Sequence, residues 1–353
     1  MDTTQRLGIG KLPAALLARL LASSVANDAN VLIGPGVGRD AAAIALGDRV
    51  LVAKTDPITF ATHDAAAYLI DVNANDLACL GAEPRWLLVT TLFPEGVSTD
   101  DVEAHFRAIA AVCDERGIAL VGGHTEITTA VRRTVLVGQM LGESTPERLL
   151  RPGGARPGDR LLLAGAVAIE GTALLARELP AVLAPLIGSE MLREAAGLIE
   201  HPGLSVVPAA RALLATGDVV ALHDPTEGGL STGVRELATA AGCGARLVRA
   251  NVAVLPQTRA IAGALELDPL GMLASGALLA AAPPAAVSRL RAAASTAGIT
   301  LTEIGEVRPA AEGFVLMEDG VEAPLPEWPT DEVGRALAEH AASEREFLGT
   351  CDR

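Results

Sequence analysis

The chain has 353 residues, of which 50% are hydrophobic and 20% are charged. This length suits two domains of ordinary size, and so large an apolar fraction excludes wholesale disorder. The net charge of −15 and the aromatic content of 2% argue against a nucleic-acid binder, which needs basic surface and stacking side chains.

Targeting signals and cysteines point to the cytoplasm. No basic segment followed by an apolar one opens the sequence, so we expect no secretory signal. The longest uncharged run, between Asp268 and Arg289, is interrupted by glycines and prolines, and it predicts a buried strand followed by a turn rather than a membrane span. The four cysteines form no CxxC pair, so free thiols in a reducing cytoplasm and no membrane partner are expected.

In the first part of the chain, apolar strand-like runs alternate with helix-length segments. "RVLVAKTD" (49–56) predicts a strand, which is followed by a helix around 63–80 and by the strand "WLLVTTLF" (86–93). Ser98 begins a capping box for the next helix, and Gly117 is its expected end. "IALVGGHTE" and "VRRTVLVGQMLG" predict two further strands. The alternation indicates an α/β fold.

A turn-rich segment, "RPGGARPGDR" (151–160), predicts the link between two domains because it combines prolines, glycines and charges. After it, "LLLAG" restarts the alternation of strands and helices. We therefore expect an N-terminal domain over 1–152, a second α/β domain over 153–330, and a C-terminal helix and tail over 331–353.

The first candidate motif is "GPGVGRDAAAI" (34–44). Gly34, Gly36 and Gly38 let the backbone bend and approach a ligand, and Asp40 follows at once. The motif is not a Walker A loop, because no Gly-Lys-Ser/Thr follows at the required spacing. A glycine-rich turn between strands is the alternative interpretation.

The second motif is "KTDP", in which the predicted strand ends in Lys54, Thr55 and Asp56. Carboxylates at strand ends suit ligand binding, since the strand fixes them while the following loop stays open. An aspartate that only caps the next turn is an equally good interpretation of these residues.

The third motif, "DVNANDLACLGAEP" (71–84), places Asp71, Asn73, Asn75 and Asp76 in a segment otherwise typical of a buried helix. On a helix Asp71 and Asn75 share one face, and Asp76 lies about 100° further round. Burying such groups unpaired would cost roughly 2–7 kcal/mol for each neutral one. Since Mg²⁺ prefers carboxylate and phosphate oxygens, the motif predicts a cation and nucleotide site. A helix face turned to water is the alternative.

Two further motifs, "GGHTE" (122–126) and "HDPTEGGL" (223–230), place glycines beside hydroxyl and acidic groups after an apolar strand. In the second, Gly228 and Gly229 precede a predicted helix, whose free N–H groups and dipole suit an anion such as phosphate. The alternative is that the glycine pair serves only the geometry of a strand-to-helix turn.

Taken together and in this order, the motifs resemble the AIR synthase superfamily. It comprises aminoimidazole ribonucleotide synthase, thiamine-monophosphate kinase, selenophosphate synthetase and the hydrogenase maturation factor HypE. The resemblance runs from about 34 to 318 and is carried by "GVGRDAA", "KTD", "NDLACLGAEP", "GGHTE", "GDRLLLAG", "DPTEGGL" and "DPLGMLASGALL". The last two motifs are most similar to the HypE branch.

The resemblance implies a PurM-like fold of two α/β domains. It also implies a homodimer whose N-terminal domains share a β-barrel-like sheet, with ATP and Mg²⁺ bound between N-terminal elements across that dimer. The implied reaction is the activation of an amide- or carbamoyl-type oxygen by phosphoryl transfer, in hydrogenase maturation. The implied substrate is a small molecule or a protein thiocarbamate, and the implied partner is a carbamoyl-transferring maturation protein.

The motif match also assigns site residues. Asp224 and the Gly228-Gly229 turn would lie on the substrate side, facing the nucleotide. The implied metal residues are Asp40, Asp56, Asp76 and His124. The implied catalytic residues are Asp76, Asp224 and Cys351. The implied cofactor-binding residues are Gly36, Gly38, Lys54, Thr55, Asn75, Gly122, Gly123, Thr125, Gly228 and Gly229.

This sequence departs from the family pattern at several positions. Arg39 stands where the family usually has an acid, His124 where the HypE and kinase branches carry Asp, and Glu227 where HypE commonly has Arg. Lys11 is a further candidate to reach a phosphate. In HypE a terminal cysteine carries the carbamoyl group, whereas Cys351 lies close to the end of this sequence but not at it.

These departures keep two alternatives open. One is a non-catalytic nucleotide-binding dimer that acts as a scaffold or sensor. The other is a small-molecule kinase similar to thiamine-monophosphate kinase, which the "DPTEGGL" and "DPLGMLASGALL" motifs favour less.

Overall fold

The computed structural model describes residues 12, 14–24, 28–36, 39, 41–58, 65–328 and 330–340. Its strands form two separate sheets, one of six strands and one of seven, and helices pack against both. The predicted α/β fold of two sheet-containing domains is confirmed. The domain limits given by the sequence analysis stay a prediction.

The first sheet has the strand order β1-β2-β3-β6-β4-β5. Strands β4 and β5 run parallel, and the other neighbours run antiparallel. Every residue of β5 except the last is exposed, so β5 is an uncovered edge of this sheet. The strands are β1 (Val31–Ile33), β2 (Ala42–Leu46), β3 (Arg49–Ile58), β4 (Glu83–Pro94), β5 (Ala119–Thr128) and β6 (Val135–Ser144).

In the described residues, the helices of this part of the chain are α1 (Ala14–Ser24), α2 (Ala65–Cys79) and α3 (Thr99–Arg116). The predicted caps of α3 are confirmed, because the Ser98 side chain accepts a hydrogen bond from the Asp101 N–H and Gly117 ends the helix at φ 67°. Helix α2 packs against β3 and β6 on one side, and α3 and the second domain contact it on others. Nearly all of α2 is therefore buried, including its polar residues.

The second sheet has the order β13-β12-β9-β11-β7-β10-β8. Strand β10 is buried at every position, which confirms the strand predicted for the long uncharged run. The strands are β7 (Arg160–Ala164), β8 (Ala221–His223), β9 (Cys243–Val248), β10 (Leu278–Ala282), β11 (Leu301–Pro309), β12 (Phe314–Glu318) and β13 (Val321–Pro324).

Helices cover the second sheet and link its strands. A last helix, α11, spans 332–340, and the Asp331 carboxylate accepts a hydrogen bond from the Val333 N–H in its first turn. The others are α4 (Ile169–Glu178), α5 (Pro180–Ile187), α6 (Ser189–Ala196), α7 (Val207–Leu214), α8 (Gly229–Ala240), α9 (Pro256–Ala264) and α10 (Val287–Thr296).

An apolar cluster joins the two domains. Ile70 and Leu77 of α2 belong to the same buried cluster as Val206, Ala210 and Leu278 of the second domain. Because this contact removes apolar surface from water, it stabilises the position of α2 between the two sheets. The polar residues of α2 are thereby held against both domains.

The end of strand β3 differs from the sequence expectation. Lys54, Thr55 and Asp56 do not end the strand, because β3 continues to Ile58, which pairs with Leu136 of β6. The prediction of a strand end at these residues is wrong. Strand β6 also pairs with Pro57 and Ile58, so the carboxylate of Asp56 projects from within a strand rather than from a loop.

The described residues bear on two features considered in the sequence: membrane crossing and the state of the cysteines. In this part of the chain, no helix combines the length and the apolar character that a membrane crossing requires. Cys79, Cys113 and Cys243 are free thiols, as expected, and all three are buried.

An ion pair ties α2 to α3. The Arg116 Nε lies 2.8 Å from the Asp71 Oδ1, and the Asp71 side chain is only 1% exposed. Burial raises the pKa of the Asp71 carboxyl, and the hydrogen bond from Arg116 offsets part of that effect. Asp71 therefore serves the packing of the two helices.

We predict that Arg116→Ala lowers the free energy of unfolding by about 3–5 kcal/mol, because it leaves a buried carboxylate without its cation. Arg107→Ala removes an exposed pair with Glu103 on the same helix and should cost only about 0.3–0.5 kcal/mol. Urea denaturation of the three proteins measures the difference. Equal losses in the two variants would contradict a structural role for the Asp71 pair.

Candidate nucleotide and metal site

A lysine lies between two carboxylates at the centre of the candidate site. The Lys54 Nζ is 2.6 Å from the Asp76 Oδ2 and 3.5 Å from the Asp56 Oδ2. Lys54 and Asp56 are two residues apart in β3 and so share one face of the strand, against which α2 presents Asp76. The structure thus brings together three residues that the sequence analysis placed in one site.

The donor set fits a hard divalent cation. Mg²⁺ is usually bound by one or two carboxylates together with substrate phosphates and waters. Asp56 and Asp76 meet at one point, where the Lys54 ammonium now bridges them. No three His, Cys, Asp or Glu side chains of the described residues form a ready metal cage. Beyond Asp56 and Asp76, a Mg²⁺ bound here would therefore need ligands from phosphate, from water or from residues outside the described part of the chain.

The other polar residues of α2 have protein partners. The Asn73 Nδ2 donates to the Leu69 carbonyl at 2.8 Å, and the side-chain amide of Asn75 bonds to the backbone of the second domain. Asp71, Asn73, Asn75 and Asp76 are all buried, so the alternative of a water-facing helix side is wrong. Of these four, Asp76 contacts Lys54. The predicted nucleotide role of Asn75 stays a prediction.

A small pocket opens between the two domains beside Asp76. Cys79, His223 and Glu236 also line it, and the His223 Nε2 lies 2.9 Å from the Glu236 Oε2. The Cys79 thiol lies 3.5 Å from the Oδ1 of Asp224, a residue that is 3% exposed. Asp224, predicted on the substrate side, therefore contacts the same helix that carries Asp76.

The Gly228-Gly229 turn has the backbone that glycine permits. Both residues have positive φ (77° and 68°), and a Cβ on Gly229 would come within 2.3 Å of the Leu270 carbonyl oxygen. The Gly228 N–H donates to the Asp331 Oδ2 at 2.7 Å. At this helix N-terminus, where the sequence predicted a phosphate, the protein's own carboxylate accepts the hydrogen bond.

A buried carboxyl group, Glu170, lies near this turn. Burial raises its pKa to about 8, and the charges of Glu227, Asp331 and Asp56 add to the effect, while a hydrogen bond with Ser275 opposes it. Glu170 is therefore largely a neutral acid near pH 7.

Sequence reasoning missed Glu170 and Asp331. A signal for Glu170 existed, because it is the sole charged residue between Arg160 and Arg177 in an otherwise apolar stretch. Asp331 carried only a local helix-cap signal before α11, and nothing in the sequence connected it with Gly228.

The "GGHTE" residues lie on the edge strand β5. Gly122, Gly123, His124 and Thr125 are exposed there, and His124 forms an exposed contact of 3.3 Å with Glu126. In the sheet order, β4 and β6 lie between β5 and β3, so these residues do not join the Lys54 cluster within one chain. The motif is part of the strand itself rather than following it.

Several predicted residues lie outside the described part of the chain: Gly38, Asp40, Cys351 and the candidate Lys11. Arg39 is described, and its Nη1 donates to the Gly34 carbonyl at 3.3 Å. The Arg39 side chain also lies against Gly36, where a Cβ would come within 2.9 Å of it. Arg39 thus folds back onto the glycine-rich segment.

Comparison with known proteins defines the class. Models for the N-terminal and C-terminal domains of AIR synthase related proteins match residues 38–144 and 156–318. The chain belongs to the AIR synthase related family, which confirms the prediction from the motifs. Among its relatives, the carbamoyl dehydratase HypE of Cupriavidus necator is 30% identical over 292 residues, covering 79% of this chain and 80% of that protein.

Solved structures share the fold. A hydrogenase maturation protein HypE in complex with ATP aligns with a TM-score of 0.68 at 23% identity, covering 90% of this chain and 91% of its own. A HypE–HypF complex aligns with a TM-score of 0.67 at 17% identity, covering 81% of this chain and 93% of that chain. At these identities the solved structures show the shared fold, and the 30% identity to a carbamoyl dehydratase supports the HypE branch predicted from the sequence.

Glu170 generates a prediction about pH. Because folding raises its pKa from 4.5 to about 8, its stabilising contribution is complete below pH 4.5 and is lost as the pH rises to about 8. Between pH 5.5 and 8.5 the wild-type free energy of unfolding should therefore fall by an amount on the order of a few kcal/mol, and Glu170→Gln should lose less. Urea denaturation at both pH values measures this, with the exposed Glu190→Gln as control. Equal losses in wild type and Glu170→Gln would refute the buried neutral acid.

Proposed function

We propose that this chain is an ATP-dependent enzyme of the HypE type, which activates a carbamoyl oxygen by phosphoryl transfer and dehydrates a thiocarbamoyl group in hydrogenase maturation. The observation that carries the proposal is the Lys54 ammonium between Asp56 and Asp76, beside the pocket between the domains. The similarity to carbamoyl dehydratases supports the same reaction.

In this proposal Asp56 and Asp76 would hold Mg²⁺ on the nucleotide side, with Asp40 as a further ligand. Bound Mg²⁺ would supply charge neutralisation on the polyphosphate, which lowers the barrier to phosphoryl transfer. Lys54 exchanges part of its contact with the carboxylates for phosphate oxygens and steadies them as charge develops. The nucleotide would also contact the hydroxyl group of Thr55 and the backbone of Gly36 and Gly38.

The substrate enters from the side of the second domain. The carbamoyl oxygen attacks the γ-phosphorus, the bond to the bridging oxygen breaks, and ADP leaves. Loss of two protons from the carbamoyl nitrogen then expels phosphate and leaves a thiocyanate. In this proposal Asp224 takes a proton, and the contact of its carboxylate with Cys79 of α2 supports that role.

We also propose a homodimer formed through β5. This edge strand exposes Leu120, Val121 and Ile127, which are 40%, 54% and 61% exposed, and uncovered apolar edges favour pairing with another chain. Such pairing would place the glycines and Thr125 of "GGHTE" at the interface, where the family resemblance puts the nucleotide. A maturation partner is supported by the solved HypE–HypF complex, and the family resemblance implies that this partner transfers a carbamoyl group.

The scaffold and kinase alternatives make different predictions. Arg39, His124 and Glu227 replace residues that active relatives tend to use, and this favours a chain that binds nucleotide without turnover. ATP binding in calorimetry without phosphate release across a substrate panel would support the scaffold. Phosphorylation of thiamine monophosphate would support the kinase.

We expect Asp76→Ala to lower ATP turnover by about 100-fold or more, because it removes a metal ligand and the partner of Lys54. Phosphate release in the presence of carbamoylated substrate measures the rate, and circular dichroism verifies that the variant is folded. Glu103→Ala, which removes an exposed carboxylate of α3, is the control and should keep the wild-type rate. Normal turnover by Asp76→Ala would refute the site.

Cys351 has a separate test. If its thiol accepts the carbamoyl group, incubation with carbamoyl phosphate, ATP and the carbamoyl-transferring partner should change the mass of the C-terminal peptide. Cys351→Ser should abolish that change, and mass spectrometry reads both. An unmodified tail in the wild type would remove Cys351 from the mechanism while leaving nucleotide binding intact.

A further inference from the structure

Asn75 joins the two domains through both ends of its side chain. Its Nδ2 donates to the Leu204 carbonyl at 2.9 Å, and its Oδ1 accepts from the Val206 N–H at 2.8 Å. Both partners lie in the second domain, just before α7, whereas Asn75 lies in α2 and is fully buried. The side-chain amide thus pairs with the backbone as a neighbouring strand would.

The neighbours of Asn75 on α2 contact both halves of the candidate site. Asp76, the next residue, contacts Lys54 at 2.6 Å on the side of the first sheet. Cys79 lies one turn beyond Asn75 on the same helix side and contacts Asp224 in the second domain. One short helical segment therefore carries the nucleotide-side pair, the contact to Asp224, and the amide that binds the second domain.

Hydrogen bonds can fix the relative orientation of two domains, which apolar packing alone does not determine. The apolar cluster around Ile70, Leu77 and Val206 stabilises the domain contact, but hydrophobic burial has no directional preference. The two bonds of Asn75 are directional, so a slide or rotation of α2 against the second domain would break them. Losing them would also leave a buried carbonyl and a buried N–H without partners, which opposes such motion.

We infer that Asn75 is a positioning residue that fixes the distance between the Lys54–Asp76 pair and Asp224. Its catalytic consequence rests on the proposed function, since phosphoryl transfer needs the nucleotide and the substrate oxygen held in one geometry. A displacement of about 1 Å can lower such a rate by about 100-fold. Nucleotide binding itself, which depends on the first domain, needs no such spacing.

Two variants of Asn75 and one control distinguish an effect on the spacing of the domains from a general loss of folding stability. Asn75→Ala removes both bonds, and Asn75→Asp keeps an acceptor for Val206 but loses the donor for Leu204. Ser144→Ala is the matched control, because the Ser144 hydroxyl donates a buried bond of 2.8 Å to the Gly81 carbonyl within the first domain. It removes a buried hydrogen bond without touching the domain contact.

The experiment combines kinetics with a distance. We expect Asn75→Ala to lose about 100-fold in kcat for phosphate release. Calorimetry tests the nucleotide role that the sequence predicts for Asn75, and a loss of ATP affinity large enough to account for the slower turnover would overturn the positioning role. Asn75→Asp, which keeps one of the two bonds, should lose less kcat than Asn75→Ala. Ser144→Ala should match wild type in ATP affinity and in kcat. For the distance, spin labels are attached at Glu103→Cys in the first domain and Arg291→Cys in the second, in protein that also carries Cys351→Ser. The labelled protein is diluted with unlabelled protein. The distribution of distances between the two labels should be broader in Asn75→Ala than in wild type and Ser144→Ala.

The distance measurement keeps the two proposals distinguishable. If wild type releases no phosphate from any substrate, the proposed function fails, and the distance distributions still decide whether Asn75 fixes the spacing. A wild-type distribution in Asn75→Ala, or equal losses of kcat in Asn75→Ala and Ser144→Ala, would overturn the inference.

Discussion

The contact of Lys54 with Asp76 and Asp56 is the interaction on which this structure's chemistry depends. Removing charges from water costs several kcal/mol per ion, so such a cluster persists only where partners are close and well directed. Here the shorter contact is 2.6 Å and the Asp76 side chain is 6% exposed. Two carboxylates and one ammonium leave a net negative charge, and this charge makes the cluster able to accept a divalent cation.

Helix α2 places that cluster, because its sides face different parts of the molecule. Asp71 bonds to α3, Asp76 contacts β3, and Asn75 bonds to the second domain. These three polar residues therefore have partners that compensate their burial, and a rotation of the helix would break these contacts. This explains why one buried helix carries so many oxygen-bearing side chains.

Part of this arrangement could be predicted from the sequence. The caps of α3 are local signals, and both Ser98 and Gly117 act as predicted. Periodicity predicts which residues share a helix face, but it does not predict which element packs against that face. The partners of Asn75 could therefore not be predicted from the sequence. The bond between Gly228 and Asp331 joins residues far apart in the chain, and only the fold brings them together.

The most direct test of the account is a crystal structure of the protein with a non-hydrolysable ATP analogue and Mg²⁺. The account predicts electron density for Mg²⁺ coordinated by Asp56 and Asp76 and by phosphate oxygens, with the Lys54 ammonium turned toward the phosphates. A nucleotide bound elsewhere, with the Lys54 cluster unchanged and free of metal, would contradict it.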